Sequence, residues 1–213
     1  MTEPTSPTGT ISLHAALDRL GAGGVIAFPT ETVFGLGADA TNPAAVERVY
    51  AIKGRPRTNP MPVVVADLAM AETLTDGLTG RARRLAEAFW PGPLTLVCPA
   101  RDAVIGIVTA GGDTVALRTP GLELVCELIR ALGRPLIAPS ANRTGADPAR
   151  TIEEVRSAFA REIEADELAC YAPAAIKTPG SAPSTIVIPG ETPGTDRVLR
   201  AGPITIDDLA TLR

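Results

Sequence analysis

The chain is predicted to fold as an α/β protein, and three observations predict it. Short apolar runs bounded by glycine or proline recur along its 213 residues, as strands do. Between them lie segments whose apolar side chains return every three or four positions, the period of a half-buried helix. The two patterns alternate, six or so strands with helices between them, without an internal repeat or a long linker. One domain is therefore expected over residues 11–213, with a frayed, polar, proline-containing start at 1–10.

Ser12 can cap a first helix carrying Leu13, Leu17 and Leu20 on one face and closed by Gly21. His14, the only histidine, lies off that stripe and reads as a surface side chain. Residues 25–28 read as a buried strand. After them PTETVFGLG abandons every regular period and puts Thr30, Glu31, Thr32, Gly35 and Gly37 close together. It reads as a loop at the C-terminal end of a strand, where α/β folds usually bind ligands, or equally as an ordinary strand-to-helix turn. Asn42 and Pro43 open a helix presenting Val46, Val49 and Tyr50 and ending near Gly54.

The loop KGRPRTNP, 53–60, holds three cations and an amide, stiffened by two prolines. A solvated charged connection is its plainer reading. Read instead as an extended pre-proline segment, it projects Lys53 and Arg55 to the same side and forms an anion site. Only Lys53 and Lys177 among the 20 basic residues are lysines, so the lysine at 53 invites a reason. Residues 62–65 read as strand, Asp67 as the cap of a short helix, and Ala82, Leu85, Ala86 and Phe89 as the inner face of a helix reaching Trp90. Trp90 is assigned to packing. Two strands follow at 94–98 and 114–118, with Arg118 at the C-terminal edge of the second. A helix over 122–132 turns Val125, Leu128, Ile129 and Leu132 inward and stops at Gly133. The strand at 135–138 runs into Ser140 and Asn142, repeating the logic of the opening stretch. Thr151 and Glu154 form a capping box for a helix to about residue 160. Residues 162–179 carry no readable pattern. Residues 180–185 deliver hydroxyls into a strand at 186–188, residues 197–200 make a last strand, and Thr205 with Asp208 starts a terminal helix.

Hydrophobic residues at 45% and charged residues at 21% are near the globular average, and a net charge of -4 weighs against nonspecific nucleic-acid binding. Cys98, Cys126 and Cys170 are odd in number and widely spaced, which indicates neither a disulfide framework nor a zinc site but reduced thiols. Without a membrane-length apolar run or a signal-peptide pattern, a cytoplasmic protein with no membrane partner is expected.

The polar groups that punctuate these elements are Thr30, Thr32, Lys53, Arg55, Asn59, Arg118, Ser140, Asn142, Ser184 and Arg200. Four are cations, and they come with no paired carboxylates, no Ser-His-Asp set and no Cys-His pair. Such a set holds negative charge rather than cleaving an amide or a glycoside. Polyphosphate is the natural guest, although neither G-x-x-x-x-G-K-[ST] nor G-x-G-x-x-G is present.

In order, PTETVFGLG, KGRP with a following NP, WPGPLTL, ALR-x-P, APSAN-x-x-G, ST-I-V and LR-x-G resemble the YrdC-type threonylcarbamoyl-AMP synthases over about residues 11–212. The resemblance implies an open, twisted, mixed sheet with flanking helices around one large basic concave cavity. It implies a nucleotidyltransferase that condenses L-threonine, bicarbonate and ATP, with Mg2+, into threonylcarbamoyl-adenylate and pyrophosphate. A separate threonylcarbamoyl transferase complex would then modify certain tRNAs, and a weak tRNA contact is compatible with this. Lys53, Arg55, Ser140 and Asn142 match the family's signature, and the resemblance implies that they are the catalytic residues. By the same resemblance Thr32, Arg118, Ala138 and Ser184 would contact threonine, and Arg55, Asn59, Ser140, Pro148 and Arg200 the nucleotide; no metal ligand is assigned. Phe34 stands where the family usually has tyrosine, Gly121 where it often has histidine, and Ile188 where it often has aspartate. The chain stops after this domain, as in the short form of the family. Two other readings compete: an RNA-gripping module of the same fold, and a domain that transfers carbamoyl groups from carbamoyl phosphate. The acidic net charge and intact signature count against the first, the absence of a fused domain against the second.

Overall fold

The structure, a computed structural model, describes residues 10–172 and 182–212. Residues 1–9 of the expected frayed start, Lys177, and Gly180 and Ser181 of the hydroxyl-bearing segment lie outside the described residues, and Thr10 is buried. In chain order the strands are β1 Val25–Phe28, β2 Gly35–Asp39, β3 Val63–Val64, β4 Leu94–Pro99, β5 Thr114–Arg118, β6 Leu136–Ile137, β7 Leu168–Cys170, β8 Thr185–Ile188 and β9 Arg197–Arg200. They join one mixed sheet in the order β7-β1-β2-β6-β3-β5-β4-β8-β9. Three pairs are parallel (β1 with β7, β3 with β5, β4 with β8) and the other five antiparallel.

Around β1 and β2 both faces of the sheet are covered, so these strands are buried on both sides. In β1, Ile26 and Phe28 face a cluster with Ala16, Leu20, Val125, Leu128 and Ile129, supplied by helices α1 (Leu13–Gly21) and α5 (Glu123–Leu132). Val25 and Ala27 face the larger cluster, which holds Val46 and Val49 of α2 (Pro43–Lys53) and Leu85 and Ala86 of α4 (Gly80–Phe89). The remaining helices are α3 (Leu68–Glu72), α6 (Ile152–Ala158), α7 (Ala160–Glu164) and α8 (Ile206–Thr211). Among the described residues no helix is long and apolar enough to cross a membrane. The three cysteines are free and buried.

Most helix starts are where their caps put them. Ser12 Oγ accepts from the Ala15 N–H, Asn42 Oδ1 from Ala44 and Ala45, and capping boxes close on Thr151 with Glu154 and on Thr205 with Asp208. Gly54 and Gly133 end α2 and α5 in the left-handed conformation, which glycine adopts without a Cβ clash. His14 is exposed and pairs with Asp18, and Trp90 is buried with its indole N–H on Leu94 O, both as expected.

Among the described residues the sheet has nine strands rather than six or so. β2 lies inside the stretch read as a loop, and β7 in the stretch read as featureless. Gly-Leu-Gly-Ala-Asp carries little strand propensity, yet all five residues are buried between β1 and β6. Its glycines are there for space: a Cβ on Gly37 would sit 2.7 Å from the Phe28 ring, and one on Gly35 3.2 Å from it. We therefore expect Gly37→Ala to lower stability by about 1–3 kcal/mol through overpacking, read as a lower urea midpoint at unchanged slope. In α1 the buried residues are Ala16 and Leu20, while Leu13 is exposed, because Ala16 lies over the sheet and Leu13 at the helix rim. The helix expected to reach residue 160 breaks at Phe159, whose fully buried ring ends α6 before α7 begins.

Candidate active site

Two hollows share a wall, the larger lying over one face of β4, β5 and β8. The smaller, about 60 Å3, is lined by Thr30, Thr32, Thr95, Arg118, Ala138 and Ser184 among others; the larger, about 910 Å3, by Arg55, Arg81, Cys98, Ile188, Glu191 and Leu199 among others. Pro62, Ser140, Ile186 and Arg200 line both. The larger hollow is mostly apolar, with Arg55 and Arg200 in its wall. Its third cation, Arg81, is committed to a fully buried ion pair with Asp196 at 2.6 Å.

The backbone brings these groups together by zipping two motif loops. Leu36 N–H donates to Pro139 O at 2.8 Å, Ala141 N–H to Phe34 O at 2.7 Å, and Phe34 N–H to Ala149 O at 2.9 Å. The threonines of the first loop thus face the serine of the second. On the opposite side the WPGP turn is fastened to the end of β5: Gly92 N–H donates to Thr119 O, and Arg118 Nε donates to Gly92 O, both at 2.9 Å. Glycine is required there, since a Cβ at 92 would lie 2.4 Å from Phe89 O.

Arg118 is buried, with each guanidinium nitrogen donating once: Nε to Gly92 O, Nη1 to Thr32 Oγ1 at 3.2 Å, and Nη2 to Glu31 Oε1. Of its five N–H groups two remain, one on each terminal nitrogen, enough for one bidentate carboxylate. The hydroxyl directions follow from counting protons. Thr30 Oγ1 donates to Val33 O at 2.7 Å, so in the 2.8 Å contact between the threonines it is Thr32 that donates. Thr32 Oγ1 therefore offers a ligand only a lone pair. Thr95 and Ser184 share a 2.8 Å hydrogen bond, and Ser184 Oγ also accepts from Arg200 Nη2 at 3.1 Å. One hydroxyl proton of that pair is left for a ligand.

Burial pulls the Arg118 and Arg55 guanidiniums below the ordinary arginine value; for Arg200 partial desolvation does so first and the charge of Arg118 second. All three remain cations at neutral pH. Two arginines that repel each other across a poorly solvated wall are stabilised by an anion placed between them.

Lys53 is not in an extended segment beside Arg55. It is the last residue of α2, and the left-handed Gly54 redirects the chain after it. Its ammonium lies buried behind the wall and donates to Ser140 O (2.6 Å), Asn142 O (2.8 Å) and Asn142 Oδ1 (2.8 Å). Asn142 Oδ1 also accepts from Ser140 Oγ at 2.6 Å, and its Nδ2 donates to Arg143 O and Ala146 O. Lys53 and Asn142 line neither hollow: they fix the turn that presents Ser140. Arg55 is held by the carbonyls of Asn59 and Pro60. Asn59 itself is exposed and Pro148 half-buried, and neither lines a hollow. Sequence reasoning did not single out Thr95, which lines the smaller hollow, or Glu31, which lines neither hollow but pairs with Arg118. Thr95 was legible as the lone hydroxyl in an apolar strand, and Glu31 as the carboxylate inside PTETVFGLG.

Burial, then the nearby Arg55 charge, pulls the Lys53 ammonium down to about 8 from 10.5. A lysine whose folded value is depressed costs stability wherever it is charged in both states, below about pH 8, and that cost fades as pH rises toward 10.5. The chain has two lysines, so a 13Cε-lysine spectrum is simple. We expect one resonance to titrate near pH 8 and to vanish in Lys53→Met.

A family model named for Sua5, YciO and YrdC, and described as telomere recombination, matches residues 18–202. The chain is 44% identical over 142 residues to a threonylcarbamoyl-AMP synthase of Pyrococcus abyssi (strain GE5 / Orsay), a match covering 67% of this chain and 42% of that one. It is 51% identical over 122 residues to a threonylcarbamoyl-AMP synthase of Bacillus subtilis (strain 168), covering 57% of this chain and 35% of that one. The chain thus spans less than half the length of these relatives. Its fold superposes on P. abyssi Sua5 complexed with L-threonine with a TM-score of 0.83 at 34% identity, covering 94% of this chain and 56% of that one.

Proposed function

The chain belongs to the Sua5–YciO–YrdC family, and from that premise we propose that it is a threonylcarbamoyl-AMP synthase. The observation that carries the proposal is the shared wall. An amino acid in the small hollow and a nucleotide in the large one would meet across Ser140 and Arg200.

In this reading the threonine carboxylate takes the two uncommitted donors of Arg118, with Thr32, Ala138 and Ser184 around the rest of the molecule. ATP enters as its magnesium complex, the metal carried by the phosphates. Arg55, Arg200 and Ser140 receive the triphosphate, while Lys53 and Asn142 hold the Ser140 turn. The threonine amine condenses with bicarbonate to a carbamate, releasing water. A carbamate oxygen then attacks the α-phosphorus and pyrophosphate leaves, so the step is a nucleotidyl transfer. The chain supplies position and positive charge where anionic charge accumulates. The product would pass to a transferase complex acting on tRNA, and processing would take place in the cytoplasm.

Purified protein given ATP, magnesium, bicarbonate and L-threonine should release pyrophosphate only when threonine and bicarbonate are both present. Release that depends on carbamoyl phosphate instead, or tRNA retention without any release, would replace this reading.

A further inference from the structure

Five hydroxyls line the small hollow, those of Thr30, Thr32, Thr95, Ser140 and Ser184, and among the described residues only one of their protons is unspent. Thr30 gives its proton to Val33 O, Thr32 to Thr30, and Ser140 to Asn142 Oδ1. Thr95 and Ser184 are both buried, and their two protons serve a single 2.8 Å contact. Arg200 Nη2 also donates to Ser184 Oγ. When Thr95 donates to Ser184, both serine lone pairs are therefore taken, so the serine donates outward and Thr95 accepts. With the contact reversed, Thr95 holds the spare proton and a spare lone pair together. Either way the pair is complete only beside a group that donates and accepts at once. A ligand that displaces solvent from here must bring a hydroxyl of its own.

The strands place this pair within reach of an amino acid. Thr95 lies opposite Ile186 across the parallel β4–β8 pair, which sets Ser184, just ahead of β8, next to it. Leu96 pairs with Leu117, so Thr95 also stands beside Arg118. A ligand carboxylate on Arg118 thus brings its side chain to the two hydroxyls. We propose that Thr95, with Ser184, makes the small hollow select a β-hydroxy amino acid, whose hydroxyl closes a ring of three in which each oxygen donates once. This rests on the threonine-binding reading above and names the groups within it that read the side chain. The β-hydroxyl takes no part in carbamate formation or nucleotidyl transfer, so the ring serves bound threonine and adenylate alike.

The test is calorimetric binding of L-threonine and of L-2-aminobutyrate, which has hydrogen in place of the hydroxyl, to the full chain, to Thr95→Val and to Thr95→Ser. Valine keeps the shape of threonine and removes the hydroxyl. The wild type should prefer threonine by about 30-fold or more, because 2-aminobutyrate leaves a buried proton and lone pair unmatched. Thr95→Val should cut that ratio about tenfold, since the ligand hydroxyl then loses its acceptor, and Thr95→Ser should restore it. A purely structural role would shift both ligands equally and leave the ratio unchanged, which would overturn the proposal while leaving the threonine site standing. Ser184→Ala, which removes the other hydroxyl of the pair, should lower the ratio in the same way and serves if Thr95→Val does not fold. A wild type that binds no threonine overturns both readings, and one that binds the two ligands equally overturns this one alone.

Discussion

Arg118→Ala is expected to raise the KM for L-threonine roughly 100-fold, since removing one partner of a buried, charge-assisted pair typically costs 2–5 kcal/mol. The variant should also be less stable. The guanidinium fastens the WPGP turn through Gly92 O, donates to Thr32 and pairs with the Glu31 carboxylate. The two effects can be separated. Arg118→Lys restores the charge but not the fork, so it should recover much of the lost stability and little of the threonine affinity. Threonine titrations beside urea unfolding of the three proteins provide the comparison. Equal recovery of both by lysine would show that Arg118 acts as a charge alone.

Lys53→Met should lower the rate of pyrophosphate release by at least roughly 100-fold, although Lys53 faces neither hollow. Its ammonium donates to two carbonyls and the Asn142 side-chain oxygen; without it Ser140 O keeps the Asn142 N–H and Asn142 Oδ1 keeps Ser140 Oγ, but Asn142 O loses its donor, at a cost of about 1–3 kcal/mol. The structure can avoid that cost by letting the 140–142 turn relax, which moves Ser140 out of the shared wall. The loss should therefore appear as weaker ATP binding and a lower kcat, with threonine binding less affected because Arg118 and Ser184 are held by other partners. A variant with an unchanged rate would detach the turn from the reaction.

Much of this was readable in the chain, for identifiable reasons. Strands buried on both faces announce themselves as apolar runs, and helix starts as capping residues, because both signals are local. Arg118 was legible because a cation closing an apolar strand has few other uses. What escaped depends on distant partners. β2 is a strand because Phe28 fills the space above its two glycines, and β7 because it pairs with β1 from more than 100 residues away. Lys53 drew attention by composition, but its partners lie across the fold at Ser140 and Asn142, so its place behind the wall could not be read from KGRP. The implied nucleotide contacts of Asn59 and Pro148 have the same limit: in the ligand-free fold Asn59 gives its backbone carbonyl to Arg55 and Tyr50.

The central claim is that an amino acid and a nucleotide occupy adjoining hollows at once. A crystal structure of the protein soaked with L-threonine and a non-hydrolysable ATP analogue tests it most directly. Threonine should lie with its carboxylate on Arg118 and the triphosphate against Arg55, Ser140 and Arg200, both in the same molecule. Threonine bound away from Arg118, or two ligands that exclude each other, would contradict it.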